Sequence, residues 1–233
     1  IKTAKDQSIS LTVRGAQFCS EIYFTTFINF NIIGMYQITC KKCRRLGYKV
    51  CDSVKCGLIR KPYPPGQHGK NVRRRVSEFG QQLAEKQKLK LIYGVREKQF
   101  RRYFDFASQK RGVTPQILMG LLESRLDNVV FRLGLVTTRS ASRQLVGHGH
   151  ILVNGKKVHS PSYAVRPGDL IDIKESTKSG KLFTNTRTIL KKFSPPMWLD
   201  LDKEKLSAKV LAAPDKDFLA GIPVQVSKVL EYY

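Results

Sequence analysis

Carboxylates are scarce in this 233-residue sequence, which carries 18 Asp and Glu residues against 42 Lys and Arg residues and a formal net charge of +24. A field this basic opposes self-association and favours polyanionic partners, with nucleic acid ahead of a membrane surface. The sequence also lacks any run of 18 apolar residues, which excludes a membrane-spanning helix. These absences argue against a membrane protein and against an enzyme whose surface is neutral.

Recognisable catalytic motifs are missing as well, since no P-loop, G-x-S-x-G, H-E-x-x-H or G-x-G-x-x-G pattern occurs. An RNA-modifying enzyme would need a separate catalytic domain of roughly 150 residues or more. Only 60 residues follow Ile173, and their acids lie among lysines and turns. We therefore predict that the protein is not an enzyme, with no catalytic residues and no small-molecule substrate.

The positive charge is concentrated in one third of the chain. Residues 35–112 hold 21 basic and 5 acidic residues, a net +16 of the total +24. Residues 1–34 are aromatic and β-prone instead, and we expect translation to start at Met35, with the preceding segment an upstream extension. A genuine strand or hairpin used for contacts is the alternative. Cys19 in this segment has no partner at ligand spacing and is interpreted as an incidental free thiol.

Cysteine is rare too, with five residues that are too few and too clustered for a disulfide scaffold. Four of them form two short pairs, Cys40-x2-Cys43 and Cys51-x4-Cys56. Two such pairs can place four thiolates tetrahedrally around one ion, so we predict one structural metal centre. Zinc is the default metal, an iron–sulfur cluster also suits four thiolates, and four ordinary cysteines are the alternative. The cations around these ligands offset the charge of the site and are candidate RNA contacts: Lys41, Lys42, Arg44 and Arg45.

A stretch rich in proline and glycine follows at residues 60–75. Its three prolines and two glycines argue against a helix or a central strand, so we predict an extended loop. Such a loop can follow a phosphate backbone and stack a ring on an unpaired base, whereas a plain linker is the alternative. The candidate RNA contacts here are Arg60, Lys61, Tyr63, His68, Lys70, Arg73, Arg74 and Arg75.

Helical periodicity dominates the next part of the chain. Ser77 is a good N-cap for a helix to about Ile92, and residues 95–107 place apolar side chains at helical spacing. Thr114-Pro115 opens a short helix through Leu122. The other side of the first two helices is basic and supplies further candidate RNA contacts: Lys86, Lys88, Lys90, Arg101 and Arg102.

A compact α/β module is predicted over residues 123–190. Ser124 starts a capped helix, and a second helix at 139–147 turns its arginines outward. Residues 151–158 form two short strands joined by an Asn-Gly type I′ turn, and a further strand occupies residues 170–173. The fold class is therefore α+β: a mainly helical N-terminal domain with a four-cysteine metal knuckle, then two helices packed on a short, mostly antiparallel sheet.

The sequence of this module resembles a known RNA-binding domain, the one named after small-subunit ribosomal protein S4. The stretches that carry the resemblance are Ser124–Val130, Arg143–Ile151, Val153–Gly155, Pro161–Tyr163 and Arg166–Asp169. Residues 62–69 and 85–94 look like the ribosomal S4 family itself. The resemblance covers about residues 39–233, with the motifs in family order, and matches the cysteine-bearing bacterial form.

The resemblance implies a role for particular residues. It places the metal ligands at Cys40, Cys43, Cys51 and Cys56 and the family's basic loop at Arg60 to His68. It places the RNA-facing edge of the module at Arg139, Arg143, His148, His150, Lys156 and Lys157. Three features depart from the family: a shorter loop between the cysteine pairs, the segment 1–34, and an end at Tyr233.

The predicted organisation has four parts. They are an extension at 1–34, a basic metal-knuckle and helical rRNA-binding domain at 35–122, the RNA-binding module at 123–190, and a tail at 191–233. We expect the tail to pack back on the helical domain, with Trp198 as its anchor.

The resemblance also implies a structural protein of the cytoplasmic ribosome. Family members bind small-subunit rRNA early in assembly, at a multi-helix junction, and help nucleate folding of the subunit body. They lie beside proteins S5 and S3 near the mRNA entrance, where they affect decoding accuracy, and some repress translation of their own message. An RNA-modifying enzyme or another RNA-binding regulator with the same module is the alternative, and a DNA-binding protein is a lesser one.

Overall fold

The cysteine-bearing segment is built from two short helices. They are α1 at Cys40–Leu46 and α2 at Gly57–Arg60. Gly47 ends α1 in the left-handed conformation, with a φ of +65°. The computed structural model describes residues 38–51, 55–71, 76–178, 190, 193–214 and 221–233. The predicted extension at 1–34 and the candidate contacts Arg73, Arg74 and Arg75 lie outside the described residues.

Three longer helices form the helical domain: α3 at Glu78–Ile92, α4 at Glu97–Gln109 and α5 at Thr114–Glu123. The Ser77 hydroxyl accepts a hydrogen bond of 3.2 Å from the Gly80 backbone, which confirms the predicted N-cap. Apolar side chains at helical spacing meet in one buried cluster that includes Leu89, Phe100 and Leu118. Burying each such side chain stabilises the fold by about 1.5–3 kcal/mol.

The module begins with α6 at Leu126–Arg132 and α7 at Arg139–Gly147. Ser124 does not cap α6, so that prediction is wrong. Its hydroxyl donates instead to the Leu121 carbonyl (3.1 Å) at the end of α5, because a serine just after a helix has unbonded carbonyls within reach. The Thr138 hydroxyl does cap α7, accepting from a backbone N–H at 3.1 Å.

The predicted hairpin is confirmed. Strand β1 at Ile151–Val153 pairs antiparallel with β2 at Lys156–Lys157. Asn154 and Gly155 between them have φ values of +50° and +75°, as a type I′ turn requires. The Asn154 side chain also bonds to the start of β3, Leu170–Ile173, and so ties the turn to the next strand.

The sheet is larger than predicted. Strands β4 at Leu199–Asp202 and β5 at Ser207–Val210 come from the segment assigned to the tail. They complete a five-stranded antiparallel sheet in the order β2-β1-β3-β5-β4. Trp198 lies in the buried core of the module, so the prediction that it anchors the tail on the helical domain is wrong. The periodicity within β3 predicts a strand but does not specify which other strand pairs with its second edge, so the pairing with β5 could not be predicted.

The C-terminal helix, in contrast, does pack back on the helical domain. Helix α9 at Val226–Glu231 contacts α3, and its Val229 is fully buried in the helical cluster. A single turn, α8 at Glu175–Lys178, follows β3. The described residues thus form the predicted α+β fold, and no helix among them is long and apolar enough to cross a membrane.

Candidate nucleic-acid interface and metal centre

The cysteine knuckle, residues 40–56, brings three predicted ligands together. The Sγ atoms of Cys40, Cys51 and Cys56 all lie within 4.8 Å of one another. Tetrahedral zinc with Zn–S bonds of about 2.3 Å holds its sulfurs about 3.8 Å apart, so this spacing fits one metal ion. Gly57 allows the close return of the chain, because a Cβ at this position would lie 3.2 Å from the Cys40 Cβ.

The fourth predicted ligand, Cys43, is placed differently. It lies one turn after Cys40 on α1 and is fully buried, but the group of mutually close sulfurs does not include it. The described residues therefore offer three thiolates at metal-binding distances. A four-thiolate site, with Cys43 as the last ligand, stays a prediction.

Arg44 fastens the loop that follows the knuckle. Its guanidinium donates to the carbonyls of Lys61 (3.2 Å), Tyr63 (3.0 Å) and Pro64 (3.2 Å). The same group lies 4.8 Å from the centroid of the Tyr63 ring. Charge-assisted hydrogen bonds and a cation–π contact therefore hold the loop against α1. Arg44, which was predicted as an RNA contact, therefore also stabilises the conformation of the loop.

The loop is less extended than predicted. Gly69–Asn71 form a 3-10 turn, and Gly69 is buried. A Cβ at Gly69 would lie 2.0 Å from the Pro64 carbonyl oxygen, so two backbone segments approach too closely for a side chain. The exclusion of any helix over 60–75 is therefore wrong at these three residues and at Arg60, the last residue of α2. Proline prevents a long helix but not a single turn.

Most of the predicted cations on the knuckle, loop and hairpin reach solvent. The exposed side chains are Lys41, Arg45, Arg60, Lys61, His68, Lys70, Lys156 and Lys157, while Lys42 and Tyr63 are half-buried. Lys70 Nζ lies 5.8 Å from the centroid of the Tyr63 ring. Exposed cations at this density are what neutralisation of a phosphate backbone needs.

Two lysines predicted on the basic side of the helices are not on the surface. Lys86 and Lys90 are 5% and 9% exposed, and their ammonium groups lie 2.5 and 2.9 Å from the Glu97 carboxylate. Lys86 Nζ also lies 4.0 and 4.6 Å from the ring centroids of Tyr232 and Tyr233. The predicted placement is wrong for both lysines, because their long stems are buried and their ammonium groups pair with the Glu97 carboxylate.

The cluster around Glu97 ties α3 and α4 to the last residue of the chain. Partial burial raises the pKa of Glu97, but hydrogen bonds from Lys86, Tyr233 and Lys90 outweigh burial and lower it to about 2. The Tyr233 hydroxyl donates to the carboxylate at 2.7 Å. The ionised carboxylate is therefore the form that the folded domain stabilises.

The other cations of these helices differ in accessibility. Lys88 Nζ lies 3.4 Å from the Glu85 carboxylate and 4.4 Å from the centroid of the Tyr48 ring. Arg101 and Arg102 on α4 are exposed, as the prediction requires.

A buried carboxylate joins the helical domain to the module. Glu123 is fully buried and accepts hydrogen bonds from Tyr93 Oη (2.5 Å), Asn128 Nδ2 (2.5 Å) and two nitrogens of Arg132 (3.1 and 2.7 Å). Burial, and then the charge of Glu123, raises the pKa of Tyr93 well above its ordinary value. These residues are called the joint. In the sequence, the only signal for the joint is that Glu123 follows the apolar residues of α5 directly. A carboxylate at that position is equally typical of the protein surface.

Arg139 and Arg143 lie half-buried at this joint, so the prediction that they point outward is wrong. Arg139 Nε donates to Asn128 Oδ1 at 3.0 Å, and its guanidinium carbon lies 4.2 Å from the Phe131 ring centroid. Arg143 donates to the Gly94 carbonyl of the helical domain at 3.0 Å. Periodicity identifies the apolar face of α7 but cannot show that its polar face meets another domain.

The two histidines after α7 lie side by side. The rings of His148 and His150 stack with centroids 6.0 Å apart. Gly149 between them has a φ of +69°, and this left-handed turn brings the two side chains together. Burial, and then the neighbouring cations, lowers the pKa of His150. His148 is exposed and His150 is half-buried.

The same two-part organisation occurs in known proteins. Residues 35–123 match the family described as "Ribosomal protein S4/S9 N-terminal domain", and residues 124–171 match "S4 domain". The first match includes the cysteine knuckle and helices α3 to α5, and the second includes α6, α7 and the hairpin. The fold and these matches define the class: ribosomal proteins in which a helical domain precedes an S4 domain.

Relatives narrow the class further. The small ribosomal subunit protein uS4 of Thermus thermophilus is 48% identical over 200 residues, which cover 83% of this chain and 95% of the relative. The protein of the same name from Halothermothrix orenii is 46% identical with the same coverage. That from Acetivibrio thermocellus is 44% identical over 84% of this chain and 96% of the relative. The chain belongs to the uS4 family of small ribosomal subunit proteins.

Proposed function

We propose that the chain is a structural constituent of the small ribosomal subunit and binds small-subunit rRNA directly. The observation that carries this proposal is the 44–48% identity to uS4 proteins across both the helical domain and the module. The net charge of +24 supports a polyanionic partner. The relatives carry the name of a subunit protein and not of an enzyme, so the RNA-modifying alternative is not favoured.

Two surfaces would hold the RNA. The exposed cations of the knuckle and the loop, together with the three arginines at 73–75 in the sequence, would neutralise backbone phosphates, which gives affinity without sequence information. The end of α7 and the hairpin tip, with His148, Lys156 and Lys157, would recognise the shape of a folded RNA. Lys86 and Lys90 are left out of this surface, because their ammonium groups bind Glu97.

The joint sets the relation between these two surfaces. Arg143 reaches the helical domain from α7, and Arg139 packs over Phe131 and Tyr93 with ring-centroid distances of 4.2 and 5.5 Å. A rigid joint lets both surfaces engage one RNA without a further cost in conformational entropy. In this proposal Arg139 and Arg143 act mainly by positioning the two surfaces, in addition to any RNA contact of their own.

We propose one structural metal ion in the knuckle, zinc first and an iron–sulfur cluster as the alternative. Cys40, Cys51 and Cys56 offer three thiolates at suitable spacing, and Cys43, buried on the same helix, is proposed as the fourth. The ion would hold α1 and α2 together and so fix Arg44, which orders the basic loop. Its contribution would be folding energy, not reaction chemistry.

The finer functional context is proposed from the family resemblance. The protein would bind a multi-helix rRNA junction early in assembly and help nucleate the subunit body, at the ribosome in the cytoplasm. Its neighbours would include proteins S5 and S3, near the mRNA entrance, where it would contribute to decoding accuracy. The exposed basic loop supports a position embedded in RNA.

A comparison of two charge-matched variants tests where the positive charge acts. Replacing residues 73–75, three arginines, by Ala should weaken binding to small-subunit rRNA more than replacing Lys203, Lys205 and Lys209. Equal losses would contradict the proposed charge map. A competition between structured rRNA and duplex DNA completes the test, and a preference for the duplex would contradict rRNA as the partner.

A further inference from the structure

Three of the four histidines in the sequence meet where α7 passes into β1. The stacked rings of His148 and His150 belong to the neighbours of Gly149, and the ring of His159 returns to the same glycine after the hairpin. A Cβ on Gly149 would lie 2.5 Å from the His159 ring and 2.3 Å from Lys157 Cε, so only glycine allows this approach. The three histidines are called the histidine corner.

Hydrogen bonds orient two of these rings. His150 Nδ1 lies 3.0 Å from the Thr177 hydroxyl of α8, and His159 Nδ1 lies 3.4 Å from the Gly147 carbonyl oxygen. Because a carbonyl oxygen only accepts, His159 donates through Nδ1 and keeps Nε2 free to take up a proton. His148 and His159 are exposed and His150 is half-buried, so a ligand can reach the corner from solvent.

The other charged groups near the corner balance one another. Two exposed cations are Lys157 on β2 and Lys174, whose backbone N–H donates to the His150 carbonyl at 2.9 Å. Asp172 and Glu175 are the carboxylates closest to Lys174 in the sequence. In the part of the chain that the structure describes, neither carboxylate is hydrogen-bonded or ion-paired to a histidine. The net charge of the corner is therefore set by the protonation of its imidazoles.

Without a ligand, the corner disfavours a protonated His150. Burial, and then the charges of His148, Lys174 and Lys157, lowers the pKa of His150, so its imidazole is neutral at about pH 7. The residues that follow α8, at 179–189, contain no Asp or Glu. A phosphate at the corner would supply a negative charge, and a nearby opposite charge favours the protonated imidazole. Phosphate binding would then be coupled to proton uptake.

We propose that the histidine corner, together with Lys157 and Lys174, binds a backbone phosphate of the RNA and takes up protons when it does so. The inference rests on the proposed function, and it adds His159 and Lys174, which carry no predicted role, to the RNA surface. It makes rRNA binding stronger as the pH falls from about 8 to about 6, because imidazole changes its charge in this range.

The affinity of the full-length protein for a small-subunit rRNA fragment at about pH 6, 7 and 8, at constant ionic strength, tests this coupling. Each proton taken up strengthens binding by up to about tenfold per pH unit, so the wild-type affinity should rise at least about tenfold across this range. The triple variant His148→Gln, His150→Gln, His159→Gln should lose most of that rise. Lys156→Gln on the same hairpin is the control, because it removes a charge that does not titrate here. It should weaken binding by one factor at every pH and keep the rise.

Thermal unfolding of each variant checks that the fold is retained. If the triple variant does not fold, His159→Gln alone, at an exposed position, should reduce the rise in part. A second measurement needs no rRNA: sulfate, a dianion that stays ionised over this range, should raise the pKa of His150 relative to chloride at equal ionic strength, as followed by NMR.

The inference is overturned if the folded histidine variants keep the full pH dependence of the wild-type chain, or if sulfate leaves the pKa of His150 unchanged. A wild-type chain that does not bind rRNA, but in which sulfate raises the pKa of His150, overturns the proposed function alone.

Discussion

Replacing Glu123 with Gln removes one negative charge from the joint while nearly preserving the shape of the side chain. Glu123 is fully buried and accepts four hydrogen bonds, two of them from Arg132. The new amide would direct an N–H group at these donors and remove the carboxylate charge that pairs with Arg132 at 2.7 Å. Removal of one partner of a buried ion pair costs about 3–5 kcal/mol. We expect about 3 kcal/mol, the low end of that range, because 23% of the Arg132 side chain reaches solvent.

Thermal and urea unfolding, followed by circular dichroism, measure this loss. For a folded unit of this size each kcal/mol shifts Tm by about 2–4 °C, so Glu123→Gln should lower Tm by about 6–12 °C. The urea midpoint should fall while its slope stays constant, because the native surface is unchanged. The exposed Glu204 between β4 and β5 gives the control, and Glu204→Gln should cost less than about 0.5 kcal/mol. A Tm loss below about 2 °C for Glu123→Gln would refute the importance of the joint.

Three other substitutions test contacts elsewhere. Arg44→Ala removes three charge-assisted hydrogen bonds to the loop and should raise the rate of amide hydrogen exchange in residues 61–70 about tenfold. The exposed Arg45 is the control, and an equal rise in Arg45→Ala would show that the Arg44 hydrogen bonds do not hold the loop. Glu97 has a folded-state pKa of about 2 against an ordinary 4.5, so its contribution is present above pH 4.5 and lost as the pH falls through 2. Because Glu97 is 46% exposed, the contribution is about 1 kcal/mol or less. The difference in urea midpoint between wild type and Glu97→Gln should therefore shrink as the pH falls from 4.5 to 2. A difference that stays constant with pH would contradict a stabilising role of the ionised Glu97 carboxylate. Cys56→Ser should reduce bound metal, measured by atomic spectroscopy, below about half an equivalent, whereas Cys19→Ser should retain it; full retention by Cys56→Ser would exclude the knuckle as the site.

Features that depend on neighbouring residues could be predicted from the sequence. The Ser77 cap, the type I′ turn at Asn154-Gly155 and the helical stripe of α4 each follow from a few adjacent side chains. The three clustered thiolates were also signalled by their spacing, because short cysteine pairs bring ligands together whatever the loop between them does.

Features that depend on distant partners could not be predicted. Lys86 and Lys90 look like surface cations until the fold brings Glu97 and the C-terminal tyrosines to them. Glu123 and Arg132 are unremarkable in sequence, and only the meeting of α5 with α6 buries their charges. The pairing of β5 with β3 joins residues about forty positions apart, which periodicity within a strand does not specify.

The most direct test of rRNA binding through the phosphate backbone is the salt dependence of affinity for a small-subunit rRNA fragment. Each neutralised phosphate releases counterions, so the logarithm of the affinity falls linearly with the logarithm of the salt concentration. With about eight phosphates neutralised, the expected slope is about −6 to −7. A slope shallower than about −2 would contradict a contact dominated by the backbone.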